Sequence, residues 1–395
     1  MRIEIIPNKL SGSIDVIPSK SCLHRAIIAS SLADGISTIE NILFSDDIKA
    51  TINACIKLGA SIEKKDNKLI IKGTTNYNTN QIVDCIESGS TLRFMIPIFL
   101  INNNKVKFIG SEGLLSRPLD VYYNIFDKQN IKYNNLLIEG NLKPDTFYID
   151  GSISSQFITG LLFSLPLLKN DSKIVITNNL ESKGYVDITI DILKKFNIII
   201  ENNNYNEFII KGNQKYISAN YQTEADYSQA SFFLVANELG SNISINNLNI
   251  NSLQPDKKII DDILKIKNNK KIDLSENPDC GPILSVLASF YNTSFINAKR
   301  LRIKECDRIT SMVNNLNLLN ANVVEEEDKM HFDKVSILNG NEVNSYNDHR
   351  VAMAMAIAST VCSSNVILNE ANSVSKSYPK FWDDFKKLGG KFNVK

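Results

Sequence analysis

The chain has 395 residues, 43% apolar and 22% charged, and its 44 Lys and Arg against 43 Asp and Glu leave a formal net charge of +1. That length exceeds what one hydrophobic core usually serves and points to two domains. The balanced charge excludes bulk attraction to nucleic acid or a membrane surface and leaves room for local basic pockets.

The longest apolar runs, Phe94 to Ile101 and Leu161 to Leu168, fall far short of the roughly twenty residues that span a bilayer. Met1 to Pro7 alternates like a strand and lacks the apolar core of a signal peptide, so a cytoplasmic protein is expected. Six scattered cysteines without a C-x-x-C pair, beside only three histidines, fit reduced thiols better than a zinc site.

In chain order, Pro18-Ser19-Lys20-Ser21-Cys22-Leu23-His24-Arg25 leads into the helical run Ala26 to Leu32. Serine, lysine and arginine at a helix start suit an oxyanion, although the glycine spacing of a Walker A loop is missing. A helix from Asp47 then closes at Leu58-Gly59-Ala60-Ser61-Ile62, and the pattern returns. Pro118 to Tyr133 closes at Asn130, Val186 to Ile200 at Asn197, Asp307 to Val323 at Asn320, and Pro379 to Phe392 at Gly389. A degraded copy spans Asp256 to Lys271. Gly and Asn are the residues that most readily take the left-handed conformation at a helix end. Four copies continue into two short strands ending at Ile71-Lys72-Gly73, Ile138-Glu139-Gly140, Ile210-Lys211-Gly212 and Leu338-Asn339-Gly340. If the degraded copy fills the wide gap between Asn197 and Asn320, the closing positions lie about seventy residues apart, too long for the common solenoids, and six α/β units in two sets of three are predicted.

Polar junctions sit between these repeats. Glu87-Ser88-Gly89-Ser90-Thr91-Leu92-Arg93 precedes an apolar run, and Gly89 permits close approach of a ligand to the backbone. Arg117 stands immediately before Pro118, Ser154-Ser155-Gln156-Phe157 clusters neutral donors, and Glu181-Ser182-Lys183-Gly184-Tyr185 follows. Asn277-Pro278-Asp279-Cys280 places a carboxylate before the run Ile283 to Phe290, where a helix N-cap is the plain alternative. Arg302-Ile303-Lys304-Glu305-Cys306-Asp307-Arg308 crowds three cations and two carboxylates before the apolar stripe Ile309, Met312, Val313, Leu316 and Leu319. A solvated first turn laced with ion pairs would explain that stretch as well. Asn347-Asp348-His349-Arg350 opens a small-residue helix, and Lys376 precedes the last repeat.

Lys20-Ser21 with Arg25, Ser154 to Phe157, the R-x-K-E-x-D-R run of Arg302 to Arg308, and Asn347 to Arg350 occur in an order that resembles the EPSP synthase family of enolpyruvyl transferases. The likeness runs from about residue 3 to 390. It implies an α/β fold of two domains, each three β-α-β-α-β-β units around an inverse α/β barrel. Residues 1–18 and 225–395 would form one domain, carrying Asp279, Glu305, Arg308, Arg350 and Lys376. Residues 19–224 would form the other, carrying Lys20, Arg25, Gly89, Arg117, Ser154 and Gln156, with the active site in the cleft between them.

The implied reaction moves the enolpyruvyl group of phosphoenolpyruvate to the 5-hydroxyl of shikimate 3-phosphate, through a tetrahedral adduct that loses phosphate. By the same resemblance, shikimate 3-phosphate meets Lys20, Ser21, Arg25, Ser154, Ser155, Gln156, Ser182, Tyr185, Asp279 and Lys304. Phosphoenolpyruvate meets Lys20, Gly89, Arg93, Arg117, Gln156, Arg308, Arg350 and Lys376. Asp279 is implied as general base, Glu305 as the acid that protonates the methylene, and Lys20 as a third catalytic group. No metal or organic cofactor, nucleic acid or membrane is expected as a partner, and the enzyme is expected to be a monomer. Departures are Ser90 in place of a frequent threonine, Arg300 in place of a frequent asparagine, and a shortened segment at Lys257 to Glu276.

The residues support this independently. Both substrates carry a phosphate and a carboxylate, and the motifs concentrate Lys20, Arg25, Arg93, Arg117, Arg300, Lys304, Arg308, Arg350 and Lys376 in a nearly neutral chain. Attack of a hydroxyl on an enol carbon needs a base and an acid, which two carboxylates can supply. Loss of phosphate needs positive charge on the leaving group. The sister reaction on UDP-N-acetylglucosamine is the nearest alternative. Its usual Lys-Asn pair is replaced here by Lys20-Ser21, and its loop cysteine is missing, since none lies between Cys85 and Cys280. A non-catalytic sensor of phosphorylated metabolites would gain nothing from Asp279 and Glu305.

Overall fold

All five repeat helices stop at a residue of positive φ: Gly59 (124°), Asn130 (56°), Asn197 (66°), Asn320 (68°) and Gly389 (90°). The degraded copy does the same at Asn269 (54°). The repeat in the sequence is therefore a repeat of helix termination. The computed structural model describes all 395 residues, and the chain forms two units, Pro18–Glu224 and Met1–Ile17 with Ala225–Lys395.

In the unit Pro18–Glu224, the repeat helices α2 (Asp46–Leu58), α5 (Asp120–Gln129) and α7 (Lys183–Lys195) bury one stripe each, with the single turn α4 (Glu112–Leu115) between them in sequence. Three further helices, α1 (Lys20–Leu32), α3 (Gly89–Phe99) and α6 (Ser155–Ser164), are buried on all sides. Their only residues outside the buried class are Lys20, Ser21, Ser90 and Gln156, every one in a first turn. The interior helices thus surface at their N-terminal ends.

Three four-stranded sheets of one design cover this unit. In the first, Gln81–Asp84 pairs in parallel with Asn104–Ile109, which pairs antiparallel with Leu137–Gly140 of the hairpin closed by Lys132–Asn134. Thr146–Ile149, Ser172–Ile176, Glu207–Ile210 and Ile200–Asn203 repeat it. In the third, Asn220–Gln222 returns to pair in parallel with Ile36–Glu40, closing the unit.

The other unit uses the same parts less regularly. Its interior helices are α8 (Tyr227–Glu238), α10 (Gly281–Ala288) and α12 (His349–Ser359), and every residue of α10 and α12 is buried. Its repeat helices are α9 (Ile259–Lys267), α11 (Arg308–Leu318) and α13 (Phe381–Lys387). One sheet, Ile272–Asp273, Thr293–Ile296, Met330–Asp333 and Asn322–Glu325, keeps the design. In a second, the N-terminal strand Ile3–Ile6 sits between Val366–Asn369 and Lys391–Val394. The third is reduced to Asn242–Ile245 beside Ser11–Ile14. Only Asn268 to Lys271 separate α9 from the next strand, so no hairpin forms there.

One expectation is corrected. Leu338-Asn339-Gly340 does not end a hairpin strand, because that hairpin returns at Met330–Asp333 and Leu338 makes only an isolated bridge to Cys362. The likeness to Gly73 has another cause. A Cβ on Gly73 would lie 2.1 Å from the Ala33 carbonyl oxygen, and one on Gly340 2.2 Å from that of Asn365.

Candidate active site

The interior helices of the unit Pro18–Glu224 are all capped by neutral serines. Ser19 accepts from the Cys22 amide, Ser88 from Thr91 and Ser154 from Gln156. A serine satisfies one amide without cancelling the positive end of the helix, so these ends stay attractive to an anion.

Lys20 pairs with Asp47 of α2 at 2.6 Å. Arg25, 3% exposed, donates through Nε to Thr189 Oγ1 (2.8 Å) and through its terminal nitrogens to the carbonyls of Ser21 (2.8 Å) and Tyr185 (3.1 Å). Its guanidinium lies over the Phe94 ring at 5.1 Å. Ser182, which precedes α7, is buried in the left-handed conformation (φ 55°), and its carbonyl accepts from the Tyr185 amide. Arg93 stacks on Phe157 (4.9 Å) and donates to Gln156 Oε1 at 2.7 Å, while Gln156 Nε2 donates to Ser90 Oγ at 3.0 Å. The first turns of α3 and α6 are thereby tied. A Cβ on Gly89 would come within 2.8 Å of an Arg117 terminal nitrogen, so glycine leaves the room that guanidinium occupies. Ser155 is buried in the first turn of α6.

The second cluster belongs to the other unit. A 3-10 turn, Pro278–Cys280, carries Asp279 ahead of α10. Asp279 makes no capping bond. Its Oδ1 accepts from Lys304 (3.1 Å) and Arg308 (2.9 Å), and its Oδ2 from Arg350 (3.1 Å). The N-cap alternative falls on that geometry. Burial opposes charge on this carboxyl, but Arg350, Lys304 and Arg308 outweigh it and hold its pKa well below the usual range. Lys304 is lowered in turn by desolvation, which Arg300 and Arg308 reinforce against the rise caused by Asp279.

Arg308 is 1% exposed and holds Glu305 Oε2 at 2.5 Å as well as Asp348 at 2.7 and 3.3 Å. Asp348 also caps α12 by accepting from the Arg350 amide at 2.7 Å. Arg350 reaches the Asp279 carbonyl (3.2 Å) and the Ser228 hydroxyl. Lys376 donates to the Asn347 carbonyl, and Arg300 lies 3.4 Å from that of Ser275. The ion-pair reading of Arg302 to Arg308 holds in part, because Arg302 pairs with Asp307 (2.8 Å) and Glu325 (3.0 Å). Lys304, however, leaves the stretch to meet Asp279, and Arg308 meets Asp279 as well as Glu305 within it.

Within each unit, then, the singled-out residues gather. Two counter-ions escaped sequence reasoning. Asp47 enters only as the start of a repeat helix, and Asp348 only as a member of the Asn347 to Arg350 string. Cys306, between Glu305 and Asp307, accepts from Ser311 Oγ at 3.3 Å, and burial pushes its thiol up to about 12.

A family model described as EPSP synthase (3-phosphoshikimate 1-carboxyvinyltransferase) matches residues 5–385. The 3-phosphoshikimate 1-carboxyvinyltransferase of Clostridium novyi (strain NT) is 51% identical over 424 aligned positions, covering 98% of this chain and 97% of the relative. That of Clostridioides difficile (strain 630) is 50% identical, covering 99% and 98%. Among solved structures, EPSP synthase from Acinetobacter baumannii superposes with a TM-score of 0.81 over 100% of both chains at 21% identity, a likeness of fold.

Proposed function

The chain belongs to the EPSP synthase family, and from that premise we propose how its two polar clusters divide the reaction. The activity is 3-phosphoshikimate 1-carboxyvinyl transfer, with phosphoenolpyruvate as donor. Relatives at this identity share that name, and the UDP-N-acetylglucosamine alternative is not favoured.

In this reading, Lys20, Ser21, Arg25, Ser154, Ser155, Gln156, Ser182 and Tyr185 hold shikimate 3-phosphate, joined by Asp279 and Lys304. Gly89, Arg93, Arg117, Arg308, Arg350 and Lys376 hold phosphoenolpyruvate together with Lys20 and Gln156. Asp279 takes the proton of the 5-hydroxyl and Glu305 delivers one to the methylene carbon. The enzyme acts in the cytoplasm as a monomer and uses no metal.

The observation that carries the reading is the convergence of Lys304, Arg308 and Arg350 on Asp279. A carboxylate so surrounded is ionised but weakly basic. An incoming polyanion competes for the same three cations. As they turn to the substrate, Asp279 loses the charges that depress it and becomes a stronger base where the hydroxyl arrives. Substrate binding and base activation are then one event. The test is phosphate release from phosphoenolpyruvate, expected only with shikimate 3-phosphate present and undiminished by chelator. Turnover with UDP-N-acetylglucosamine in its place would overturn the assignment.

A further inference from the structure

His24 is 1% exposed and lies on α1 between Lys20 and Arg25. Its Nδ1 is 2.7 Å from Thr51 Oγ1 on α2, which is 2.7 Å from Thr91 Oγ1 on α3. Thr91 Oγ1 donates at 2.8 Å to Ser88 Oγ, the hydroxyl that caps α3.

The direction of this chain can be worked out. Thr91 spends its one hydroxyl hydrogen on Ser88, so in the contact with Thr51 it must accept. Thr51 therefore donates to Thr91 and has no hydrogen left for His24. At 2.7 Å the imidazole must then be the donor, which fixes the Nδ1–H tautomer. Nε2 carries only a lone pair, and it is buried without a partner. Electrostatics agrees that the ring is neutral, since burial, with Lys20 and Arg25 nearby, holds the His24 pKa well below its ordinary value.

The placement gives the chain a purpose. Lys20 and His24 are one helical turn apart on α1, as Asp47 and Thr51 are on α2. The part-buried rung Lys20–Asp47 thus lies one turn above the fully buried rung His24–Thr51. Beyond Thr51, the chain ends at the hydroxyl that fixes the turn bearing Gly89 and Ser90.

We propose that His24 is a positioning residue. As the Nδ1–H tautomer it starts a one-way hydrogen-bond chain through Thr51 and Thr91 to Ser88, which locks the first turns of α1 and α3 in register and sets Lys20 relative to Gly89. The inference rests on the substrate roles proposed above for Lys20, Arg25 and Gly89. No part of it requires His24 to touch substrate or exchange a proton.

Two measurements test it. Nitrogen-resolved NMR of the imidazole in the intact protein should show Nδ1 protonated and Nε2 bare, unchanged from about pH 8 to about pH 6. An Nε2–H tautomer, or titration near the ordinary value, overturns the proposal. Kinetics provide the second. In His24→Asn the amide nitrogen takes the place of Nδ1 and keeps the donor, whereas in His24→Gln it takes the place of Nε2. His24→Gln should raise KM for both substrates about tenfold, the scale of one lost buried hydrogen bond, with a smaller change in kcat. His24→Asn should recover most of that loss.

Thr91→Val should repeat the defect and Thr91→Ser reverse it, which keeps the test open should His24→Gln fold poorly. Equal KM values for the Asn and Gln variants would defeat the proposal. Arg25→Ala serves as control. If it leaves KM for shikimate 3-phosphate unchanged, the substrate assignment fails; if it raises KM while His24→Gln does not, only the positioning role fails.

Discussion

Asp279 and Glu305 are bound to the two terminal nitrogens of one guanidinium, that of Arg308, at 2.9 and 2.5 Å. The proposed base and the proposed acid therefore have their relative positions set by a single rigid group. The third edge of that group is held by Asp348, fully buried at the cap of α12. A planar fork suits this task as no ammonium can, since lysine offers one point of charge. Arg308→Lys should lower kcat by about a hundredfold, the scale of losing one placed acid or base. Arg308→Ala leaves Asp348 buried and unpaired and should cost about 3–5 kcal/mol of stability, measured by denaturant unfolding.

The two carboxylates can be separated from binding. Asp279→Asn and Glu305→Gln should each reduce kcat by about a hundredfold or more. Neither should weaken shikimate 3-phosphate in calorimetry, because removing negative charge near an anion cannot repel it. Lost binding with kcat intact would return both residues to a structural role.

Charge from both units should be needed for one ligand. Arg25→Ala and Lys304→Ala lie in different units, and each should weaken shikimate 3-phosphate binding by about tenfold or more, as expected for charge-assisted contacts. Arg117→Ala should spare that binding and raise KM for phosphoenolpyruvate. Calorimetry with each substrate separately decides the matter, and an unaffected Lys304→Ala would confine the shikimate 3-phosphate site to one unit.

How far the sequence is legible depends on the range of the interaction. Helix ends at Gly59, Asn130, Asn197, Asn320 and Gly389 could be read because each depends on one residue's freedom to adopt positive φ. Interior helices such as α1, α3 and α10 could be read as apolar runs that follow a polar junction. Pairings such as Arg93 with Gln156, or Arg25 with Thr189, join residues far apart in sequence, and no local pattern encodes them. Asp279 shows the ambiguity best. A carboxylate ahead of an apolar helix looks like a cap, and only the arrival of Lys304, Arg308 and Arg350 gives it another role. The missing hairpin after α9 was visible only as a shortened segment, because its consequence, a sheet of two strands, depends on Ser11–Ile14 from the chain's other end.

The buried histidine also has a thermodynamic signature. Burial, reinforced by Lys20 and Arg25, holds the folded-state pKa of His24 well below 6.5, whereas in the unfolded chain it protonates near that value. Below that pH the unfolded state binds a proton that the folded state refuses, so acidification favours unfolding. Stability is unaffected well above 6.5 and declines, as pH falls from there toward the folded pKa, by up to about 1.4 kcal/mol per pH unit. His24→Asn removes the term and leaves His331 and His349 in place, so subtracting the two proteins isolates it. Between about pH 7 and pH 5.5 the wild type should lose about 1 kcal/mol more than the variant in denaturant unfolding. Parallel curves for the two proteins would mean that His24 accepts a proton in the folded state, and the neutral Nδ1–H tautomer with a bare Nε2 could not then be its state over that range.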